Sequence, residues 1–83
     1  MEQYQIGNKE PFKVTPTSSK KLVEAMAVTE AKLLFLGVDG SLPYLHIGIR
    51  LELPSKKVKK TFESILGRCL EDVPNQDDGF TFK

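Results

Sequence analysis

The sequence predicts an α+β fold in two layers: an antiparallel sheet with two helices on one face, in the split βαβ or ferredoxin-like order βαββα(β). Three observations predict it. Residues 44–53 alternate between polar and apolar side chains, as a half-buried strand does. Residues 58–73 carry one continuous apolar stripe at helical spacing. Between two strand-like runs stands Asp39-Gly40, a strong short-range hairpin signal.

In chain order, the first fifteen residues read as extended. Tyr4, Ile6, Phe12 and Val14 fall on even positions, and Gly7-Asn8-Lys9-Glu10-Pro11 between them has turn chemistry. A loose hairpin, or a single strand over residues 12–15, is expected, ended by Pro16. Thr17, Ser18 and Ser19 offer hydroxyl caps for a helix from about Ser19 to Val28, with Leu22, Val23 and Met26 on one face.

Lys32–Val38 reads KLLFLGV, apolar on both alternating sets. Such a strand is covered on both faces, or has an apolar outer face that a partner covers. If Asp39-Gly40 is a two-residue turn, Leu34 lies opposite Leu45, Leu33 opposite His46 and Phe35 opposite Tyr44. In the next strand Leu45, Ile47, Ile49, Leu51 and Leu53 point inward, and Tyr44, His46, Gly48, Arg50 and Glu52 outward. Ser55 is the expected cap of a second helix, with Val58, Phe62, Ile65, Leu66, Cys69, Leu70 and Val73 on its stripe and Pro74 as its stop. Residues 1–74 therefore form one domain. Residues 75–83 form an acidic tail, whose Phe80 and Phe82 alternate as in a short edge strand.

Composition narrows the function. The chain has 83 residues, 12 Lys and Arg against 11 Asp and Glu, and a formal net charge of +1. That balance speaks against a protein basic all over, and 40% hydrophobic content speaks against disorder throughout. No apolar run approaches the roughly 20 residues of a membrane span. The first residues lack a signal peptide's pattern, and one cysteine suits a reducing compartment, so the expected location is cytoplasmic.

No catalytic set stands out, and neither a cofactor nor a metal is expected. His46 and Cys69 are the only candidates for a nucleophilic pair. His46 points away from the helices, and Cys69 on the stripe reads as a small buried hydrophobe. The carboxylate pairs Glu71-Asp72 and Asp77-Asp78 read as solvated, at a helix end and in a tail. The glycines match no phosphate-loop spacing.

Two surfaces rise above this background. The outer sheet face would carry Leu33, Phe35, Tyr44, His46 and Arg50, an apolar and aromatic patch of the kind that marks a protein interface, with self or a foreign partner. The expected function is a small non-enzymatic binding or regulatory protein, an adaptor or inhibitor of a larger machine of the phage-encoded or accessory kind, acting through that face and as a homodimer if the partner is self. The alternative is nucleic-acid or anionic-ligand binding through Lys56, Lys57, Lys59 and Lys60, with Lys20 and Lys21 as additions. Bases at a helix start and Glu71 and Asp72 at its end oppose the helix dipole, and an anion would offset that. In one variant Phe35 and Tyr44 stack bases, although the aromatic-rich strand of RNA-recognition-motif proteins is absent from His46-Ile47-Gly48-Ile49.

Overall fold

The computed structural model describes residues 2–41 and 44–73. Among these the order is β1 (Glu2–Ile6), β2 (Phe12–Lys13), α1 (Pro16–Val28), β3 (Lys32–Asp39), β4 (His46–Leu53), α2 (Lys57–Leu66) and β5 (Glu71–Asp72). The strands form one five-stranded antiparallel sheet. The expected α+β arrangement is therefore present. The acidic tail, its Phe80–Phe82 edge strand, Asp77-Asp78 and the Pro74 stop lie outside the described residues.

β4 organises the sheet. β3 runs along one border from His46 to Glu52. The other border takes β1 opposite Ile49–Leu53 and β2 opposite His46-Ile47. β1 and β2 thus pair with β4 and not with each other, which corrects the expected hairpin. They act as one strand interrupted by an excursion over residues 7–11. Gly7 starts the excursion with φ +86°, and a Cβ there would lie 2.2 Å from the Ile47 carbonyl oxygen. Only glycine tolerates both conditions. β5 pairs with the far border of β1.

The odd residues of β4 face the helices. Ile49, Leu51 and Leu53 are buried with Tyr4, Ile6 and Phe12 from the neighbouring strands, Ala25 from α1, and Phe62 and Leu66 from α2. Leu22, Met26, Val58 and Ile65 pack against this core.

Helix boundaries differ from expectation for local reasons. α1 starts at Pro16, because Pro tolerates the first helical position and Thr15 provides the cap. Thr15 Oγ1 accepts from the Ser18 amide (2.9 Å), and Ser18 Oγ accepts from the Thr15 amide (2.8 Å). Its end is a Schellman turn. The Ala31 amide donates to Met26 O and the Glu30 amide to Ala27 O, with Glu30 left-handed at φ 55°.

α2 has Lys56, not Ser55, at its N-cap, with no side-chain hydrogen bond to the cap. It stops at Gly67, which is left-handed at φ 88° and donates its amide to Glu63 O. Cys69, Leu70 and Val73 therefore fall beyond the helix. Leu70 is still buried, its amide held by Glu63 Oε2 at 2.8 Å. Cys69 is exposed, which overturns its reading as a buried hydrophobe. Glu71 and Asp72 belong to β5 and not to the end of α2.

The β3–β4 connection spans residues 40–45, not two residues, so the expected pairs of Leu33 with His46, Leu34 with Leu45 and Phe35 with Tyr44 do not form. Instead Asp39 pairs with His46, Val38 with Ile47, Leu36 with Ile49 and Phe35 with Arg50. A bulge then shifts the register, and Leu33 pairs with Leu51.

Candidate functional site at the border of β3

The residues expected to share the outer face are divided by that bulge. Cross-strand partners share a face. Phe35 and Arg50 therefore stand together on the outer face, and His46 lies on it between Lys13 and Asp39. Leu33, opposite the buried Leu51, belongs to the helix side. Tyr44 sits in the connection, with Lys13 Nζ 5.4 Å from its ring centre. The register sets Phe35 opposite Arg50 and puts His46 four residues along β4 on the same face, with Leu33 on the other face and Tyr44 in the connection beside Lys13, so the stacking platform of Phe35 with Tyr44 on adjacent strands is not formed.

What surrounds Phe35, Arg50 and His46 is polar. Lys32 pairs with Glu52, Gln3 with Glu52, and Gln5 with Arg50. At one end the excursion covers the face: Asn8 Nδ2 donates to Gln5 Oε1 at 3.0 Å, and Gln5 is only 2% exposed.

The excursion is fastened by one carboxylate. Glu71 Oε1 accepts from the amides of Asn8 (3.1 Å) and Lys9 (2.9 Å), and Oε2 from the amide of Glu10 (3.1 Å). Arg68 completes the clasp, donating to the carbonyls of Pro11 and Glu10 at 3.0 Å each. Its guanidinium lies 5.5 Å from the Phe12 ring centre and 3.9 Å from Glu71 Oε2.

The apolar surface lies on the other side. Leu33, Leu36 and Val38 point to the helix layer yet are 48%, 52% and 58% exposed. The reason is sheet order. β4 is central and lies under the helices, whereas β3 is lateral, and no described strand pairs with its second border. Val23 of α1 is 68% exposed. Between α1 and β3 lies a hollow of about 630 Å³, lined by Leu22, Val23, Met26, Leu33, Leu36 and Ile47 among others. Sequence reasoning missed Leu36, Val38 and Val23 as surface residues. The available signal was the KLLFLGV run itself, apolar on both alternating sets while the helices lie on one face.

The lysines form two groups. Lys56, Lys57 and Lys60 are exposed at the start of α2, and Lys59 places its Nζ 5.0 Å from the Tyr4 ring centre. Lys56 and Lys59 line a hollow that Glu2 and Asp72 also line, so acids border the bases there. Lys21 lies at the opposite end of α2: its Nζ is 4.0 Å from where a Gly67 Cβ would stand. Lys20 and Lys21 therefore do not extend the Lys56–Lys60 patch.

His46 occupies the outer face of β4, and Cys69 the segment between α2 and β5. Among the described residues, no cluster of three or more His, Cys, Asp or Glu side chains could hold a metal ion. No described helix is long and apolar enough to cross a membrane. Set against known protein families, curated protein sequences and solved structures, the chain matches none.

Proposed function

We propose that this chain is a small non-enzymatic binding protein, of adaptor or inhibitor type, that works by protein–protein contact along the β3 border and the hollow beside it. One observation carries the reading. Leu33, Leu36 and Val38 stay about half exposed on a strand whose second border no described strand pairs with and whose central residues include no charge. Protein edges are ordinarily blunted by inward charges, proline or short length, because an open apolar edge recruits another chain. Contiguous apolar surface of this kind marks interaction sites. The contact surface proposed here is thus the helix side of β3, and the outer face contributes only Phe35 at its margin.

Nucleic-acid or anion binding at Lys56, Lys57, Lys59 and Lys60 has less support, since Glu2 and Asp72 border the same hollow. A salt-sensitive mobility shift with mixed DNA and RNA would move the weight to that reading.

The test places a photo-crosslinking residue at Val38 or at Lys60 in cells that carry the protein. Adducts from Val38, with any protein or with a second copy, and none from Lys60 are expected. No adduct at Val38 would contradict the reading.

A further inference from the structure

We infer that the occupant of the β3 border is a second copy of this chain, joined by antiparallel β3–β3 pairing across a two-fold axis at Leu36. The inference rests on the β3 border being the contact surface, and adds the partner and the register.

The register follows from facing. Leu33, Leu36 and Val38 face the helices, while Lys32, Phe35, Gly37 and Asp39 face away, with the bulge at Leu34 between the two phases. Antiparallel partners must share a face, because a one-residue slip turns every side chain over. Among registers that keep the faces matched, the one centred on Leu36 pairs the whole strand. It sets Leu36 against the second copy's Leu36, Leu33 against its Val38, and Phe35 against its Gly37, leaving Leu34 as the extra residue on each side.

The ends of the strand then match in charge, independently of which way the side chains face. Lys32 falls opposite the second copy's Asp39, and Asp39 opposite its Lys32. Opposite charges directly across an antiparallel pair stabilise it, and like charges oppose it. Phe35 across from Gly37 covers the surface that a glycine leaves bare, a known way of supporting edge glycines. On the helix side, Leu33, Leu36 and Val38 of both copies form one apolar strip running between the two hollows. A foreign strand would need its own reason to carry this charge order; the chain's own β3 has it by symmetry.

The test is light scattering with sedimentation equilibrium on the full chain across a concentration series. A dimer is expected for the wild type. Leu36→Lys is expected to be a folded monomer, with its fold checked by circular dichroism. Lys32→Asp is expected to weaken the dimer about tenfold, since it sets two like-charged pairs across the axis. Adding Asp39→Lys to Lys32→Asp is expected to restore affinity to within about threefold. A wild-type monomer at all concentrations, a dimer indifferent to Leu36→Lys, or a charge swap without recovery would overturn the inference. A monomer that still crosslinks another protein from Val38 would overturn only this inference and leave the contact surface standing.

Discussion

Leu33 and Phe35, two positions apart in one strand, stand on opposite faces of the sheet: Leu33 pairs with Leu51 and Phe35 with Arg50. Strand periodicity puts residues two apart on one face. The bulge at Leu34 breaks that rule and adds Leu33 to the apolar set of Leu36 and Val38. An outer aromatic patch is thereby replaced by an apolar border on the helix side.

The Glu71 carboxylate should be a structural fastener. It receives three backbone amides, and its side chain is 9% exposed. In Glu71→Gln the new amide group would face an N–H donor at one oxygen position. The expected loss is about 1–3 kcal/mol, the cost of stranding partners of a partly buried acceptor, read by urea unfolding. An unchanged midpoint would show that the clasp does not hold the excursion.

The two left-handed helix ends should respond in opposite directions. Gly67 has φ 88° and nothing nearer its Cβ position than Lys21 Nζ at an ordinary contact distance of 4.0 Å, so Gly67→Ala should cost about 1–2 kcal/mol from backbone strain alone. Glu30 has φ 55° at the C-terminal turn of α1. There Glu30→Gly should stabilise by about 1 kcal/mol. Thermal unfolding of both variants checks the sign of each.

Gly7→Ala should be worse than Gly67→Ala. Both backbones are left-handed, but a Gly7 Cβ would also meet the Ile47 carbonyl oxygen at 2.2 Å. The expectation is a loss clearly above the roughly 1–2 kcal/mol of strain, seen as low yield or a markedly reduced unfolding midpoint.

Phe62 and Val23 should separate core from surface. Phe62 is fully buried, and Phe62→Ala should cost about 3–5 kcal/mol. Val23 is mostly exposed, and Val23→Ala should stay within about 0.5 kcal/mol in the isolated monomer. Denaturant titration in a Leu36→Lys background keeps any association out of the comparison.

Much of the fold was legible where one local rule met no competitor. The alternation of Leu45 to Leu53 placed β4 and its buried face, and the helix order followed from caps and stripes. Legibility failed where a local signal overrode a longer pattern. Gly67 stops α2 although the apolar spacing continues through Cys69, Leu70 and Val73, which is why an exposed cysteine read as buried. Pro16 ends nothing, because the Thr15 cap makes it the first helical residue. The hairpin signal of Asp39-Gly40 did not give a two-residue turn: β3 ends at Asp39 and β4 starts only at His46. Nothing in the sequence marks the bulge at Leu34, and that one residue decided the membership of the candidate surface.

A site-directed disulfide reads the β3–β3 contact itself. In a Cys69→Ser background, Leu36→Cys should oxidise rapidly to a covalent dimer, because residues on the two-fold axis of an antiparallel pair bring their Cβ atoms to about 4.5–5.5 Å. His46→Cys, on the outer face of β4, should form no covalent dimer under the same oxidant. No disulfide dimer at position 36, or equal crosslinking at 36 and 46, would contradict pairing through the β3 border.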